Sequence, residues 1–333
     1  MEKFPEILNR IFFAQLLNEK VDMLDIPFDC YEQIAKFSRA NMLSGILLEN
    51  INFEDNKNKL IKKLQEERRI SIAQNMLMKR SLLQIIDQFN KNNIAFILFK
   101  GSSFLFDDRF PIDKRFSKDL DILVKGDDVE KAYYCLKKLN FSYKNKLVTD
   151  TAWQPSFMHQ LPTLVNNEKI YLELHTRVTQ KSFFEICPIT EIFFESKQGL
   201  LIENIEINIP ETNIHIAYLI YHATKHHDYK ITPAFILDIL NLKSKSNYKE
   251  DLLLSFVDNL QLEPEYKHIN SMVSLKSLDL MYTLPNLNPR KINLFDSLKF
   301  KFKTLSDRYL VRKNSLKFYI FFAKELFNSI FRK

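Results

Sequence analysis

Two aspartates separated by one residue are the side chains of this sequence best suited to chemistry on a phosphate group. Asp119 and Asp121 flank Leu120, and the chain continues through the apolar run 122–124. Alternate residues of a strand share a face, so a strand over 119–124 would project both carboxylates to one side. Mg²⁺ prefers carboxylate oxygens, and two such ions can bracket an in-line displacement at phosphorus. The pair therefore predicts a site for two Mg²⁺ ions.

A third carboxylate is expected on a neighbouring strand, and Glu173 is the candidate. The segment from Lys169 to His175 alternates, with apolar residues on one face and Glu173 and His175 on the other. Glu173 is predicted to complete the metal site or to take the proton from an attacking hydroxyl. For His175, contact with the substrate and a structural hydrogen bond both stay open.

A glycine turn is predicted ahead of the aspartate strand. The chain has only four glycines, and one of them, Gly101, follows the apolar run 94–99, which predicts a buried strand. Glycine lets the backbone approach a ligand closely, and a helix beginning near Ser103 would aim its N–H groups at that ligand. Gly101 and Ser102 are therefore predicted to seat a phosphate.

Two basic residues lie close to this turn and strand in the sequence. Lys100 and Arg115 are predicted to contact the triphosphate of a nucleotide, Arg as a fork and Lys as a point charge. The alternative is an ion pair with Asp113 or Asp119.

The combined pattern resembles the uncharacterised bacterial nucleotidyltransferase family, part of the polymerase β-like nucleotidyltransferase superfamily. The residues that carry the resemblance are Phe99-Lys100-Gly101-Ser102, Arg115, Asp119-Leu120-Asp121-Ile122-Leu123-Val124 and Leu172-Glu173-Leu174-His175. The resemblance implies a nucleotidyltransferase fold, an NTP substrate used with Mg²⁺, and transfer of a nucleotidyl group to an acceptor hydroxyl. Gly101 and Ser102 match the phosphate turn of the family. Its two metal ligands and its third acidic position match the three carboxylates above.

The segment Phe106–Lys118 is longer than in the usual motif of the superfamily, and it is predicted to loop out. Asp238 resembles a position of the same family whose role is unknown. The acceptor is left open as a protein, a sugar, an antibiotic or other small molecule, or a nucleic-acid end. The base of the NTP is open as well, although ATP is included among the expected substrates. The alternative is a catalytically inactive nucleotide-binding or protein-interaction module on the same fold.

A histidine-rich segment supports a second alternative, a metal-dependent phosphohydrolase. His227-Asp228 is similar to the dyad of such enzymes, and His222 and His226 have zinc-compatible spacing. The competing interpretations place Lys225 or His226 near the phosphates of a nucleotide, as substrate contacts, or take this face as a polar helix surface.

The pattern along the chain predicts an α+β fold, with a small mixed-sheet nucleotidyltransferase core flanked by helical regions. We expect an N-terminal helical region at 1–91, the core at 92–210 and a C-terminal helical region at 211–333. Lys59–Phe89 is predicted to be one long helix. Within the core, a hairpin turning at Asn166-Asn167 and an edge strand at Ile202–Ile209 are expected.

Charge and cysteine content bound the setting of the protein. Residues 296–333 hold ten Lys or Arg against three acidic residues, which equals the whole net charge of +7. This basic, aromatic tail is expected to pack on the core or to bind an anionic membrane, a nucleic acid or another anionic partner, and no sequence-specific nucleic-acid binding is expected. Three scattered cysteines, no signal peptide and no apolar run near the ~20 residues of a membrane span predict a soluble cytoplasmic protein. Peripheral membrane association through the tail stays open.

Overall fold

A computed structural model describes residues 4–14, 19–54, 58–108, 110–145, 159–178, 189–226 and 231–275. Over these residues the chain forms an α+β fold with a mixed five-stranded sheet, and helical segments precede and follow that sheet along the chain. The predicted fold class is confirmed.

The elements follow one another in chain order. The helices are α1 (Phe4–Phe13), α2 (Tyr31–Asn41), α3 (Ser44–Asn50), α4 (Lys59–Lys91), α5 (Gly101–Phe104), α6 (Val129–Lys138), α7 (Ile189–Glu195), α8 (Thr212–Tyr221), α9 (Pro233–Lys243), α10 (Glu250–Asn259) and α11 (Glu263–Leu275). The strands are β1 (Val21–Asp22), β2 (Ile51–Asn52), β3 (Phe96–Leu98), β4 (Leu120–Val124), β5 (Ser142–Tyr143), β6 (Leu164–Val165), β7 (Tyr171–His175), β8 (Gln198–Ile202) and β9 (Ile205–Ile209).

The five-stranded sheet has the order β3-β4-β7-β6-β5. β4 and β7 are parallel neighbours, and the other pairings are antiparallel. One face of β4, formed by Leu120, Ile122 and Val124, packs in a core with residues of α4 and α6. Its opposite face carries Asp121 and Leu123, and Leu123 packs with residues of α7 and α8. The polar site therefore lies on the side of the sheet that α7 and α8 cover.

α4 is the longest helix of the described chain, as the absence of Gly and Pro predicts. Asn58 caps its first turn by accepting a hydrogen bond from the N–H of Leu60 at 2.8 Å. Its first turns, at Leu60 and Leu64, pack in the core of the helical segments, and its last turns, around Phe89, pack under the sheet. This one helix thus contributes to two cores.

The helical segments before and after the sheet share one hydrophobic core. Leu47 from α3 and Leu64 from α4 belong to the same buried cluster as Ile216 from α8 and Ile239 from α9. These helical segments therefore meet, although Leu64 and Ile216 lie 152 residues apart in the sequence, because each helix carries an apolar face that another must cover.

Three sequence predictions differ from the observed elements. The N-terminal region is not wholly helical, because β1 and β2 pair in parallel within it. The hairpin around Asn166 is present, but its first arm contains only the short β6. The edge strand predicted at Ile202–Ile209 is instead the β8–β9 hairpin, whose turn residues Glu203 and Asn204 have φ of 50° and 64°. Two successive left-handed residues match a hairpin turn, and Glu is an uncommon signal for one.

The segment predicted to loop out between Phe106 and Lys118 does leave the sheet, but it is well packed. Phe106, Phe110 and Phe116 are buried, and the Phe110 ring stacks on Phe104 at 3.9 Å.

Several predictions fall on residues outside the described ranges: the basic tail, the predicted C-terminal helix pair, Cys187 and the His227-Asp228 dyad. Cys30 and Cys135 are buried free thiols. None of the helices in the described ranges combines the length and the apolar character that crossing a bilayer requires.

Candidate active site

Strand pairing brings two of the predicted carboxylates together. β4 and β7 run parallel, and their register places Asp121 beside Glu173. The flanking residues Leu120 and Leu172 also pair, and both face the core on the other side of the sheet. The alternation of side chains therefore sends both carboxylates to the same face.

His175 places a ring nitrogen next to the carboxylates of Asp121 and Glu173. Its Nε2 lies 2.9 Å from Asp121 Oδ1 and 3.6 Å from Glu173 Oε2, and the ring packs edge-on against Phe99. One potential ligand atom from each of Asp121, Glu173 and His175 lies within 4.8 Å of the others. Asp119, half-buried just before β4, stands outside this group of three. Two roles were left open for His175, contact with the substrate and a structural hydrogen bond. The hydrogen bond is present, with Asp121 as its partner.

Lys100, rather than Gly101, carries the unusual backbone of the turn. Its φ of 51° and ψ of −136° are strained for a residue with a side chain. The Lys100 N–H donates to His215 Nε2 at 3.2 Å, and its carbonyl accepts from Ser103 Oγ at 2.8 Å. The ammonium donates to Asp121 Oδ1 at 2.9 Å. The ion pair considered for Lys100 therefore exists, with Asp121 as partner instead of Asp113 or Asp119.

Gly101 and Ser102 join this turn to the segments that carry the carboxylates. A Cβ on Gly101 would lie 2.5 Å from Oγ and 3.1 Å from Cβ of Ser117, so the missing side chain makes room for the loop before β4. Ser102 is fully buried, and its hydroxyl accepts from the N–H of Asp121 at 2.6 Å. Their predicted contact with phosphate stays a prediction, and both have a structural role besides.

Arg115 pairs with neither of the two aspartates expected from the sequence. Its Nε and Nη2 donate to the two carboxylate oxygens of Asp238 in α9, at 2.7 and 2.9 Å. Asp113 pairs with Arg68 of α4 instead. Burial opposes the charge of Arg115, but the Asp238 carboxylate outweighs it and raises the pKa of the guanidinium. The role of Asp238, unknown from the sequence, is to hold Arg115.

The charges around Asp121 do not balance, because three carboxylates face one ammonium. Burial, followed by the charges of Asp121 and Glu173, raises the pKa of Asp119 to about 6. Burial would also raise the pKa of Asp121, but the Lys100 ammonium and His175 lower it below its usual value. For Glu173, contact with His175 likewise outweighs burial and lowers the pKa. Of the three carboxylates, Asp119 is therefore the one whose pKa is raised, first by burial and then by the two neighbouring negative charges.

This donor set fits a divalent cation. Three carboxylates and one ammonium leave an excess of negative charge, and burial, followed by the charges of Asp121 and Glu173, raises the pKa of Asp119. Asp121 and Glu173 offer carboxylate oxygens, the ligands that Mg²⁺ prefers, while Asp119 stays a predicted ligand. The imidazole of His175 is a ligand more usual for transition metals, and it also hydrogen-bonds Asp121.

The sequence matches the family described as uncharacterised nucleotidyltransferase over residues 31–273, well over half of the chain. The chain belongs to this family. The resemblance stated from the turn, the aspartate strand and the Glu173 strand is thereby confirmed.

Solved structures of nucleotidyltransferases give weaker similarities. The solution structure of the antibiotic-resistance factor ANT(2'')-Ia is 12% identical, with a TM-score of 0.40, covering 58% of this chain and 98% of that one. The crystal structure of ANT(2'')-Ia with adenylyl-2''-tobramycin has the same identity and TM-score, covering 57% and 98%. An antigenic nucleotidyltransferase-like protein from Paracoccidioides brasiliensis is 13% identical, with a TM-score of 0.37, covering 58% and 91%. No curated protein matches the chain.

Asn75 is a positioning residue of this nucleotidyltransferase that sequence reasoning missed. It is fully buried in α4, and its amide donates to the carbonyls of Ile112 and Arg115, each at 2.7 Å. Its Oδ1 accepts from the N–H of Ser117 at 3.3 Å. Asn75 thus fixes the loop that carries Arg115 towards Asp119. The one available signal was an Asn inside a long helix, where its propensity is unfavourable.

His215 was also missed, because its contact depends on the tertiary fold. The ring is buried in α8 and stacks on Phe104. Burial, and then the charge of Lys245, lowers the pKa of His215 to about 3. The ring is therefore neutral, with Nε2 accepting from the backbone of Lys100.

The remaining histidine predictions stay open. His222–His226 forms a π-helical turn after α8, and the His222 ring lies 5.8 Å from Tyr218. The side chains of Lys225 and His226 lie outside the described ones, so their substrate contacts stay predictions.

Proposed function

We propose that this member of the family is a Mg²⁺-dependent enzyme that transfers a nucleotidyl group from an NTP to an acceptor hydroxyl. The observation that carries the proposal is the cluster of Asp121, Glu173 and His175 beside Asp119, with an excess of negative charge. Structural ion pairs seldom leave such an excess, because burying unpaired charge is costly.

In the proposed reaction the acceptor oxygen forms a bond to the α-phosphorus of the NTP. The bond from that phosphorus to the bridging oxygen breaks, and pyrophosphate leaves. The acceptor proton passes to the Glu173 carboxylate, the predicted base. Asp119, Asp121 and Glu173 would hold Mg²⁺, which would supply charge neutralisation at the phosphate oxygens when bound.

The turn supplies the other half of the proposed site. Gly101 and Ser102 lie at the start of α5, where the Ser102 N–H donates to the carbonyl of Phe99 at 3.2 Å, and Lys100 adds a positive charge beside them. A triphosphate bound there would be held in line with the carboxylates, since Ser102 ties the turn to Asp121. Positioning of this kind is a large part of catalysis in phosphoryl transfer.

Arg115 is better assigned to support than to the triphosphate. Asp238 occupies two of its donors, and a third nitrogen donates to the carbonyl of Phe116. Arg115 would therefore hold the approach to β4 in place. The helical regions before and after the core would shape the acceptor cleft, with the boundaries near 92 and 210 kept as part of the proposal.

The test compares the parent with Asp119→Asn/Asp121→Asn in the same cell extract, using NTPs labelled at the α-phosphate. The parent is expected to move label to an acceptor and release pyrophosphate only with Mg²⁺, and the double variant to lose about a thousandfold in rate. Asp127→Asn is the matched control, since Asp127 is an exposed carboxylate beyond the end of β4. Equal transfer by the parent and the double variant would contradict the proposal, and nucleotide binding without transfer would favour the inactive module.

A further inference from the structure

Lys100 lies where a cation would bind. Its Nζ and the Nε2 of His175 both contact the same oxygen of Asp121, each at 2.9 Å. The Lys100 ammonium also interacts electrostatically with the carboxylates of Glu173 and Asp119. The Lys100 side chain is only 16% exposed, so water does little to screen its charge. The ammonium therefore supplies the positive charge that keeps these carboxylates together.

We propose that Lys100 is the resident counter-ion of the cation-free site, and that a divalent cation binding at Asp121 displaces its ammonium towards the phosphates of the nucleotide. This inference deepens the proposed function and rests on it. It assigns Lys100 two successive anionic partners, the Asp121 carboxylate and a phosphate oxygen.

Charge repulsion is the physical reason for the exchange. An ammonium and a divalent cation on the same carboxylate oxygen repel each other strongly in a site sheltered from water. Once displaced, the ammonium needs another anion, because Phe99 and Tyr218 line its surroundings with buried aromatic rings. A bound triphosphate would supply that anion.

The backbone geometry favours a movement confined to the side chain. Lys100 is held at φ 51° by hydrogen bonds to His215 and Ser103, both of which use its backbone. Neither bond depends on where the ammonium points. The flexible four-carbon stem of lysine can therefore change partner while the turn stays fixed.

The first experiment measures binding of Mn²⁺ alone by calorimetry and thermal unfolding, in the parent and in Lys100→Gln. Removing the competing charge should tighten Mn²⁺ binding at least about tenfold and lower the cation-free Tm, with Mn²⁺ restoring it. Lys118→Gln is the matched control: it removes an exposed positive charge next to Asp119 and should leave both values near those of the parent. Unchanged or weaker Mn²⁺ binding in Lys100→Gln would overturn the proposal, as would binding by neither protein.

The second experiment needs no substitution and so is independent of folding of the variant. An amine-reactive reagent is applied to the parent with and without Mn²⁺ and a non-hydrolysable NTP analogue, and peptide mass spectrometry follows the labelling of Lys100. Labelling should be slow without ligands, faster with Mn²⁺ alone, and slow again when the analogue is added. Equal labelling in all three states would overturn the exchange.

Failure of this inference is separable from failure of the proposed function. One outcome is Mg²⁺-dependent label transfer by the parent with unchanged Mn²⁺ affinity in Lys100→Gln. It would support the proposed function and overturn the counter-ion role of Lys100. Tightened Mn²⁺ binding in that variant, without label transfer by the parent, supports the counter-ion and contradicts the enzyme.

Discussion

Two buried ion pairs of this protein differ in their balance of charge. Arg115 and Asp238 form a closed pair of one cation and one anion, joined by two hydrogen bonds between the loop before β4 and α9. Lys100 and Asp121 form an open pair, because Glu173 and Asp119 add two further carboxylates nearby. The first pair is complete as it stands, whereas the second has capacity for another cation.

The difference separates support from chemistry. A balanced pair with both donors used is best suited to joining two elements. An unbalanced pair lowers the stability of the fold. A protein can retain such a pair where a bound ligand will supply the missing charge. Each of the following predictions tests one side of this contrast.

The largest effect is expected from breaking the balanced pair. Asp238→Asn leaves a buried guanidinium without its counter-ion, and it should lower the free energy of unfolding by about 3–5 kcal/mol, measured by urea denaturation. The double variant Arg115→Met/Asp238→Leu removes both charges and should lose clearly less. A double variant as unstable as the sum of its singles would show that the pair is not acting as a unit.

The next effect concerns His215, which supports the open pair through the backbone of Lys100. Its pKa of about 3 in the folded protein lies below that of an unfolded histidine, so the unfolded state binds more protons between about pH 3 and 6.5. Stability from this group is therefore complete above that range and lost as the pH falls through it. Relative to His215→Gln, the parent should lose about 2–3 kcal/mol between roughly pH 6.5 and 4.5.

The carboxylates in this region titrate in both proteins, so the difference between the two unfolding curves isolates His215. Asp119 opposes the trend, because its raised pKa makes the folded state hold its proton more tightly. Parallel curves for parent and variant would mean that folding does not lower the pKa of His215.

The smallest effect on stability is expected at Asp119, the half-buried carboxylate next to the open pair. Its pKa of about 6 exceeds the unfolded value, so stability falls as the pH rises from about 4 through 6. In the presence of a chelator near pH 7, Asp119→Asn should raise the free energy of unfolding by about 1–2 kcal/mol, and the gain should vanish near pH 4. Asp127→Asn, on an exposed carboxylate, should show no such gain. A loss of stability in Asp119→Asn would mean that the Asp119 charge is already compensated.

The sequence predicted the ingredients of the candidate site better than their partners. Alternation in 169–175 predicted that Glu173 and His175 share a face, and the β4–β7 register puts Glu173 beside Asp121. An ion pair with Asp113 or Asp119 was the alternative to a triphosphate contact for Arg115, but its partner lies in α9, more than a hundred residues further along the chain. No local pattern encodes a contact of that range.

The turn shows the same limit on a smaller scale. Glycine scarcity drew attention to Gly101, yet the strained backbone belongs to Lys100. Gly101 is required by Ser117, which approaches it from the loop before β4. A glycine in a sequence indicates a constraint, but not whether the constraint is a dihedral angle or a neighbour.

By itself, the sequence determined most of the helical and extended segments and the shared face of Glu173 and His175, because those properties depend on neighbours three or four residues away at most. Only the tertiary structure decided that β4 and β7 are parallel neighbours, that Asp238 holds Arg115, and that Lys100 supplies the positive charge at Asp121. Those choices come from packing apolar faces of distant segments against one another, and the polar contacts follow from where that packing places them.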